Sequence, residues 1–378
     1  MYRIKDQRQK SEQHDLLTKS LLIVFIHSYR ESFIIMTYRR IHGILSSAAT
    51  LCLIGFLLTG CASQWAMNTD ASNTQFLWPS LPEKPRIKYI MSVKGFDEAG
   101  TSLKSVLFGK ASRGLARPVD AVAGRDGRLA VADTQSRCVH LWIPAEKNYI
   151  AITQTDKESL KSPVGIAFDE ELRLYVADSA LQEVMVFDKK GVYLFSFKET
   201  SFERPTGLAY NKDRKILYVV DTVACKVYAF NQQGEVIFSF GERGEKAGSF
   251  NFPTHIFWSP AGLLYITDSM NFRVQIFDES GNFKAVFGHH GDGSGDFAMP
   301  KGVAVDKQGT IYVVDTLFDN VQLFNERGEF LLTLGGRGYD QGEFWLPNGL
   351  FIDDDRMYVS DTFNQRIQIF ELLQKEYE

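Results

Sequence analysis

The stretch Pro300-Lys301-Gly302-Val303-Ala304-Val305-Asp306-Lys307-Gln308-Gly309-Thr310-Ile311-Tyr312-Val313-Val314-Asp315-Thr316 is the clearest copy of a phrase that the chain repeats six times. A proline opens a run of glycine and small apolar residues. About fifteen residues later an aliphatic run ends in Asp followed by Ser or Thr. The other copies open at Pro118, Pro163, Pro205, Pro253 and Pro347. The closing carboxylates are Asp133, Asp178, Asp221, Asp268, Asp315 and Asp361, spaced 45, 43, 47, 47 and 46 residues apart. A period that regular belongs to a propeller blade or a solenoid unit.

Within one copy the pattern predicts four strands. Gly302–Val305 is the first, and Asp306-Lys307-Gln308-Gly309 is a turn that puts glycine where positive φ is needed. Ile311–Val314, Val321–Phe324 and Phe330–Leu334 follow. Apolar residues on both faces suit a sheet covered on each side by another sheet. Met357-Tyr358-Val359-Ser360-Asp361-Thr362 and Phe272-Arg273-Val274-Gln275-Ile276-Phe277-Asp278 carry a further signal. With the Pro-x-Gly openings, they make residues 118–370 resemble the NHL-repeat β-propellers. The resemblance implies an all-β, six-bladed ring and leaves activity open, because propellers host many functions.

Two ends of the body complete each other. Pro85–Val93 (PRIKYIMSV) alternates as a strand ahead of the first copy, whereas the sixth copy stops at Ile367-Gln368-Ile369-Phe370 with no fourth strand behind it. The N-terminal strand is therefore expected to complete the last blade and close the ring, covering edges that would otherwise template aggregation. The propeller then runs over 85–373. Thr101–Gly109 reads as a short helix or lid. The connections after the third, fourth and fifth copies share one glycine-rich frame, ending at Phe250, Phe297 and Phe344.

The chain of 378 residues is 44% hydrophobic and 23% charged, ordinary for a globular protein. Met36-Thr37-Tyr38-Arg39-Arg40 reads as a start with a basic segment, followed by an apolar stretch from Ile44 to Leu58 that is too short to span a bilayer. Leu58-Thr59-Gly60-Cys61 resembles the bacterial lipobox, which implies a signal over 36–60, cleavage before Cys61 and acylation of its thiol. Residues 1–35 read as an upstream extension from a misplaced start, and 61–84 as a flexible tether. Ala62, where the sorting rule would place Asp for retention, implies an outer membrane with the body facing the periplasm. Two or three acyl chains hold a protein on a bilayer at about 0.8 kcal/mol per buried methylene.

Residues 1–61 carry 8 Lys/Arg and 4 Asp/Glu, leaving the remainder with 34 against 42 and a net charge of −8. A body that acidic argues against nucleic acid, whose phosphates need clustered cations. Cys138 and Cys225 fall in non-adjacent repeats and read as two small buried thiols.

Six equivalent Asp-Ser/Thr pairs cannot all serve one catalytic site. An Asp at a strand end instead suits the capping of backbone N–H groups, and all six are assigned that role. The informative positions break the repeat. Two residues after the proline, four copies carry Gly165, Gly207, Gly302 and Gly349, while the first has Asp120 and the fourth His255. Blades one and four oppose each other in a six-membered ring. Asp120 and His255 are therefore expected at a channel mouth, with Lys301 and Asn348 at the same level, as contacts for a small polar ligand or a partner's side chain. The amidating lyase among NHL enzymes implies several channel histidines. The exported body has His140, His255, His289 and His290, of which only His255 lies near the axis, so no metal site, cofactor or catalytic set is assigned. The sequence shows no nucleophile elbow, Cys–His pair or phosphate loop. The reading is a monomeric, membrane-tethered, non-enzymatic scaffold for an envelope protein, peptide or glycan. The alternative is a propeller hydrolase or lyase with its site at the channel mouth.

Overall fold

The computed structural model describes residues 64–71, 76–80, 82–99 and 109–373. The expected upstream extension (1–35), the signal (36–60), Cys61 and all but the last residue of the expected lid lie outside them. Six sheets form the body, and five have four antiparallel strands in sequence order. Blade 1 comprises Pro118–Ala123, Leu129–Asp133, Cys138–Ile143 and Asn148–Ile152. Blades 2 to 5 begin at Pro163–Phe168, Pro205–Asn211, Pro253–Trp258 and Pro300–Val305, their innermost strands. Blade 6 comprises Leu350–Asp353, Arg356–Asp361 and Arg366–Leu372, and its fourth strand is the N-terminal segment Ile87–Ala99. That strand runs antiparallel to the last one, with Val93 opposite Ile367 and Ile87 opposite Leu372. The chain is an all-β, six-bladed propeller closed by its own N-terminal strand.

The core lies between blades. Leu129, Leu174, Leu217, Leu264, Ile311 and Met357 are paired across their sheets with Trp142, Phe187, Phe230, Phe277, Phe324 and Phe370. All these residues are buried, which stabilises by about 1.5–3 kcal/mol per large side chain. The glycine-rich connections add Phe250, Phe297 and Phe344, also buried, with ring centroids 5.6, 5.5 and 6.1 Å from Phe277, Phe324 and Phe370.

The six repeated carboxylates staple each blade's turn to the loop that enters it. Asp315 accepts the N–H groups of Ala298, Met299, Leu317 and Phe318, and Asp178 and Asp221 do the same in their blades. Asp133 accepts from Ala116, Arg117 and Ser136. Asp268 and Asp361 keep one loop N–H each, from Asn251 and Trp345, and fill their remaining capacity with Arg273 and Gln275, or Arg366 and Gln368. In four blades the hydroxyl after the carboxylate reaches the next blade. Ser179, Ser269, Thr316 and Thr362 donate to the carbonyls of Pro205, Pro300, Pro347 and Pro118 at 2.6–2.8 Å.

One expectation fails. The stretch 61–84, read as a tether, contains the strand Gln64–Ala71, paired with Ile87–Ala99 from Gln64 opposite Ala99 to Ala71 opposite Met91. Leu77–Trp78 pairs with the same strand. An edge strand needs only a few apolar anchors on one face. Trp65 supplies one, its ring 4.9 Å from Tyr149 in blade 1, and its backbone N–H donates to the Lys147 carbonyl. The exposed alternate positions Gln64, Ala66, Asn68 and Asp70 give the segment its tether-like composition. Among the described residues no helix is long and apolar enough to cross a membrane.

Candidate functional site

The innermost strands crowd one another two residues after the opening proline. A β-carbon on Gly165 would lie 1.8 Å from the Thr206 carbonyl oxygen, and one on Gly207 would lie 2.9 Å from the His255 Cα. On Gly302 it would meet the Asn348 oxygen and Leu350 nitrogen at 2.6 Å, and on Gly349 the Val119 oxygen at 2.6 Å. Successive inner strands therefore touch at a throat where four junctions tolerate no side chain. The two positions that carry one are Asp120 and His255.

Asp120 is buried against blade 2. Its carboxylate accepts the Ile166 N–H at 3.1 Å and its neighbour Ala121's N–H at 2.9 Å. Burial pushes its pKa up to about 7, with those two N–H groups pulling the other way. Burial pushes the pKa of His255 down to about 4; the Leu350 backbone of blade 6 opposes this, and the nearby Lys301 charge acts in the same direction as burial. Near neutral pH the two groups are therefore not a simple ion pair: burial keeps the imidazole neutral and favours the protonated carboxyl.

Both residues line a funnel of about 790 Å³ that runs along the axis and opens at the turns after the innermost strands. Its wall is mixed, with apolar and aromatic side chains, including Ile166, Phe168, Leu208, Phe257, Trp258 and Phe351, and about as much polar surface. Phe351 packs against the cores of blades 4–6, of blades 1 and 2, and of blades 6 and 1, so its ring lies toward the axis. It meets Phe257 of blade 4 edge-on at 6.3 Å. Tyr210 and Trp258 are braced by stacking on Tyr175 and Tyr218 at 6.0 and 6.1 Å. Charged residues such as Arg125, Glu170, Lys212, Asp213 and Lys307 come last, toward the mouth.

The geometry divides the four sequence candidates. Asp120 and His255 meet in one cavity, but deep within it and at the end remote from its mouth. Lys301 and Asn348 stand one residue nearer the strand starts and do not line it. Burial, then the charge of Arg204, holds the Lys301 ammonium below its usual range. Sequence reasoning missed Phe351, Tyr210 and Trp258, although the large aromatics just before the turns of blades 3, 4 and 6 were a legible signal.

It also missed a cluster in blade 1. Cys138 Sγ lies 3.4 Å from His140 Nε2, which lies 3.5 Å from Asp133 Oδ2, while His140 Nδ1 meets the Tyr149 hydroxyl at 2.8 Å. The reading that no Cys–His pair exists is therefore corrected: the two alternate on one strand and share a face. The cluster is structural. Burial, then the Asp133 charge, pushes the Cys138 thiol up to about 12, so it stays protonated and un-nucleophilic. Burial opposes ionisation of Asp133, but the His140 hydrogen bond and the Ser136 and Ala116 N–H groups hold it at about 2. Cys138 and Cys225 are both free and buried. Among the described residues no group of three or more His, Cys, Asp or Glu is arranged to hold a metal ion.

The chain matches the family DUF5128, described as a 6-bladed beta-propeller, over residues 258–317 and 306–378. No curated protein matches it. Among solved structures it is similar to a catalytically inactive virginiamycin B lyase from Staphylococcus aureus with quinupristin. That match has a TM-score of 0.55 at 10% identity and covers 82% of this chain and 100% of that one. A structural genomics protein of unknown function from Bacteroides thetaiotaomicron aligns with a TM-score of 0.55 at 14% identity, covering 82% and 76%. An auxiliary nutrient binding protein from Bacteroides ovatus aligns with a TM-score of 0.53 at 14% identity, covering 69% and 70%. At these identities the likeness is one of fold.

Proposed function

We propose that this protein is a lipid-anchored, non-enzymatic binding scaffold of a bacterial cell envelope, held on the periplasmic side of the outer membrane by acylated Cys61. Its axial funnel takes a protein, peptide or glycan group. The observation that carries the binding role is the character of the funnel. Its aromatic wall is braced between blades, and its floor carboxylate already holds two backbone N–H groups. A concave surface that sets braced aromatic rings beside charged groups suits a ligand with both apolar and polar parts. The lipobox sequence and the basic, apolar segment before it support the anchor.

A hydrolase or lyase is the second reading, favoured by one fact: Asp120 and His255 line the same cavity with burial raising the carboxyl's pKa and lowering the imidazole's, so that their usual order is reversed. Photo-crosslinking in the native envelope separates the two. A benzoylphenylalanine in place of Phe168 or Phe257 is expected to yield a discrete adduct that the same group at exposed Leu331 does not, and that persists in Asp120→Asn and His255→Gln. An adduct pattern identical at all three positions would overturn the scaffold reading. A turnover abolished by either substitution would establish the enzyme.

A further inference from the structure

The edge strand Gln64–Ala71 begins three residues after the lipobox cysteine and is welded to the folded body. It adds to the outermost strand of blade 6, Trp65 packs on Tyr149, and the Trp65 backbone N–H bonds the Lys147 carbonyl in the outer hairpin of blade 1. Residues Cys61 to Gln64 span at most about 10 Å of extended chain. A true tether of the length of residues 61–84 would instead let the body wander tens of ångströms.

We infer that the propeller is moored rim-on, with the junction of blades 6 and 1 seated against the lipid headgroups. This rests on the acylation of Cys61 proposed above. The chemistry of that rim fits an anionic lipid surface. Lys110, Arg113 and Lys147 are exposed there against one exposed acid, Glu146, with Asp97 half-buried and Glu98 buried on the strand between them, on a body whose net charge is otherwise negative. Basic residues near a bilayer add to an acyl anchor electrostatically. The remaining sides of the ring, the funnel mouth among them, then face the aqueous phase, while the blade 3 and blade 4 rim points away from the bilayer.

The test uses the full-length protein purified from membranes and reconstituted into vesicles of phosphatidylethanolamine and phosphatidylglycerol. Cys138 and Cys225 are buried, so a single surface cysteine takes a fluorophore cleanly. Lys147→Cys marks the proposed contact, and Ile237→Cys, on the outer strand of blade 3, marks the far rim. Headgroup-level spin-labelled lipid is expected to quench the fluorophore at 147 severalfold more than at 237. A Gly-Ser segment inserted between Ala62 and Ser63 is expected to abolish that difference without releasing the protein. Equal quenching at both sites in vesicle-bound, unmodified-length protein overturns rim-on mooring while leaving the anchor intact. Protein that stays in the supernatant, with Cys61 unmodified by mass spectrometry, overturns the anchor itself.

Discussion

Replacing Gly165 by alanine forces a methyl group to within 1.8 Å of a backbone oxygen of the next blade. Backbone cannot swing aside as a flexible side chain can, so the innermost strands must part, at a cost of about 3 kcal/mol. Gly248 is the control. Its φ of +82° makes alanine strained, but nothing lies within 4 Å of the added carbon, so about 1 kcal/mol is expected. Urea midpoints of the two variants check this, and equal costs would contradict a closed throat. Asp120 and His255 give a second prediction at the same scale. The folded pKa of Asp120 is raised, so its folded state is penalised as pH rises from about 4, and fully above about 7. Relative to the wild type, Asp120→Asn should therefore gain stability across that window, by on the order of 4 kcal/mol. A constant loss accompanies it, since the amide cannot accept both N–H groups. The folded pKa of His255 is lowered, so its penalty grows as pH falls from 6.5 to about 4, and His255→Gln should gain only on that acidic side. Denaturation across pH 4–8 reads both, and pH-independent differences would mean the groups are not buried as described.

At the scale of elements, the glycine-rich connections are held by side chains of the following blade. Gln322 donates to the Asp296 carbonyl at 2.7 Å and accepts the Gly295 N–H at 3.0 Å. Gln275 and Gln368 hold Ser249 and Gly248, and Glu343 and Gly342, in the same way. Gln322→Ala leaves a buried carbonyl and N–H without partners and is expected to cost about 2 kcal/mol. Amide exchange at Gly295 should accelerate while Val313, in the neighbouring strand, stays protected. Unchanged exchange at Gly295 would show that the glutamine is a spectator. Blade 1 has His140 at this position, and its ring turns to Asp133 and Tyr149 instead. The strands themselves were legible in sequence, because apolar alternation and turn glycines act over neighbouring residues. So were the two positions that break the glycine rule. The strand at Gln64–Ala71 was not, because an edge strand with one half-buried face has no strong pattern. Nor was the end at which the channel widens, which follows from how far six strands splay, a property no single repeat contains.

At the scale of the molecule, two devices of unequal strength reinforce the contact of the inner strands that shuts the ring between blades 6 and 1. The first is one hydroxyl bond, Thr362 to the Pro118 carbonyl at 2.8 Å, and Thr362→Val should cost only about 1 kcal/mol. The second is the strand Ile87–Ala99, which buries Ile87, Tyr89, Val93 and Phe96 against blades 6 and 1. At about 2 kcal/mol per side chain these four contribute about 8 kcal/mol, comparable to the whole stability of an ordinary domain. A body beginning at Lys110 also exposes the edge of Arg366–Leu372, an open template for strand pairing. It is therefore expected to lose its cooperative thermal transition and to elute as oligomers on size exclusion. A peptide of residues 85–99 added in trans should restore a monomer, because the strand that pairs with Arg366–Leu372 lies within that segment. If the truncated body melts like the intact one, closure resides in the inner strands, and the N-terminal strand is only a cover.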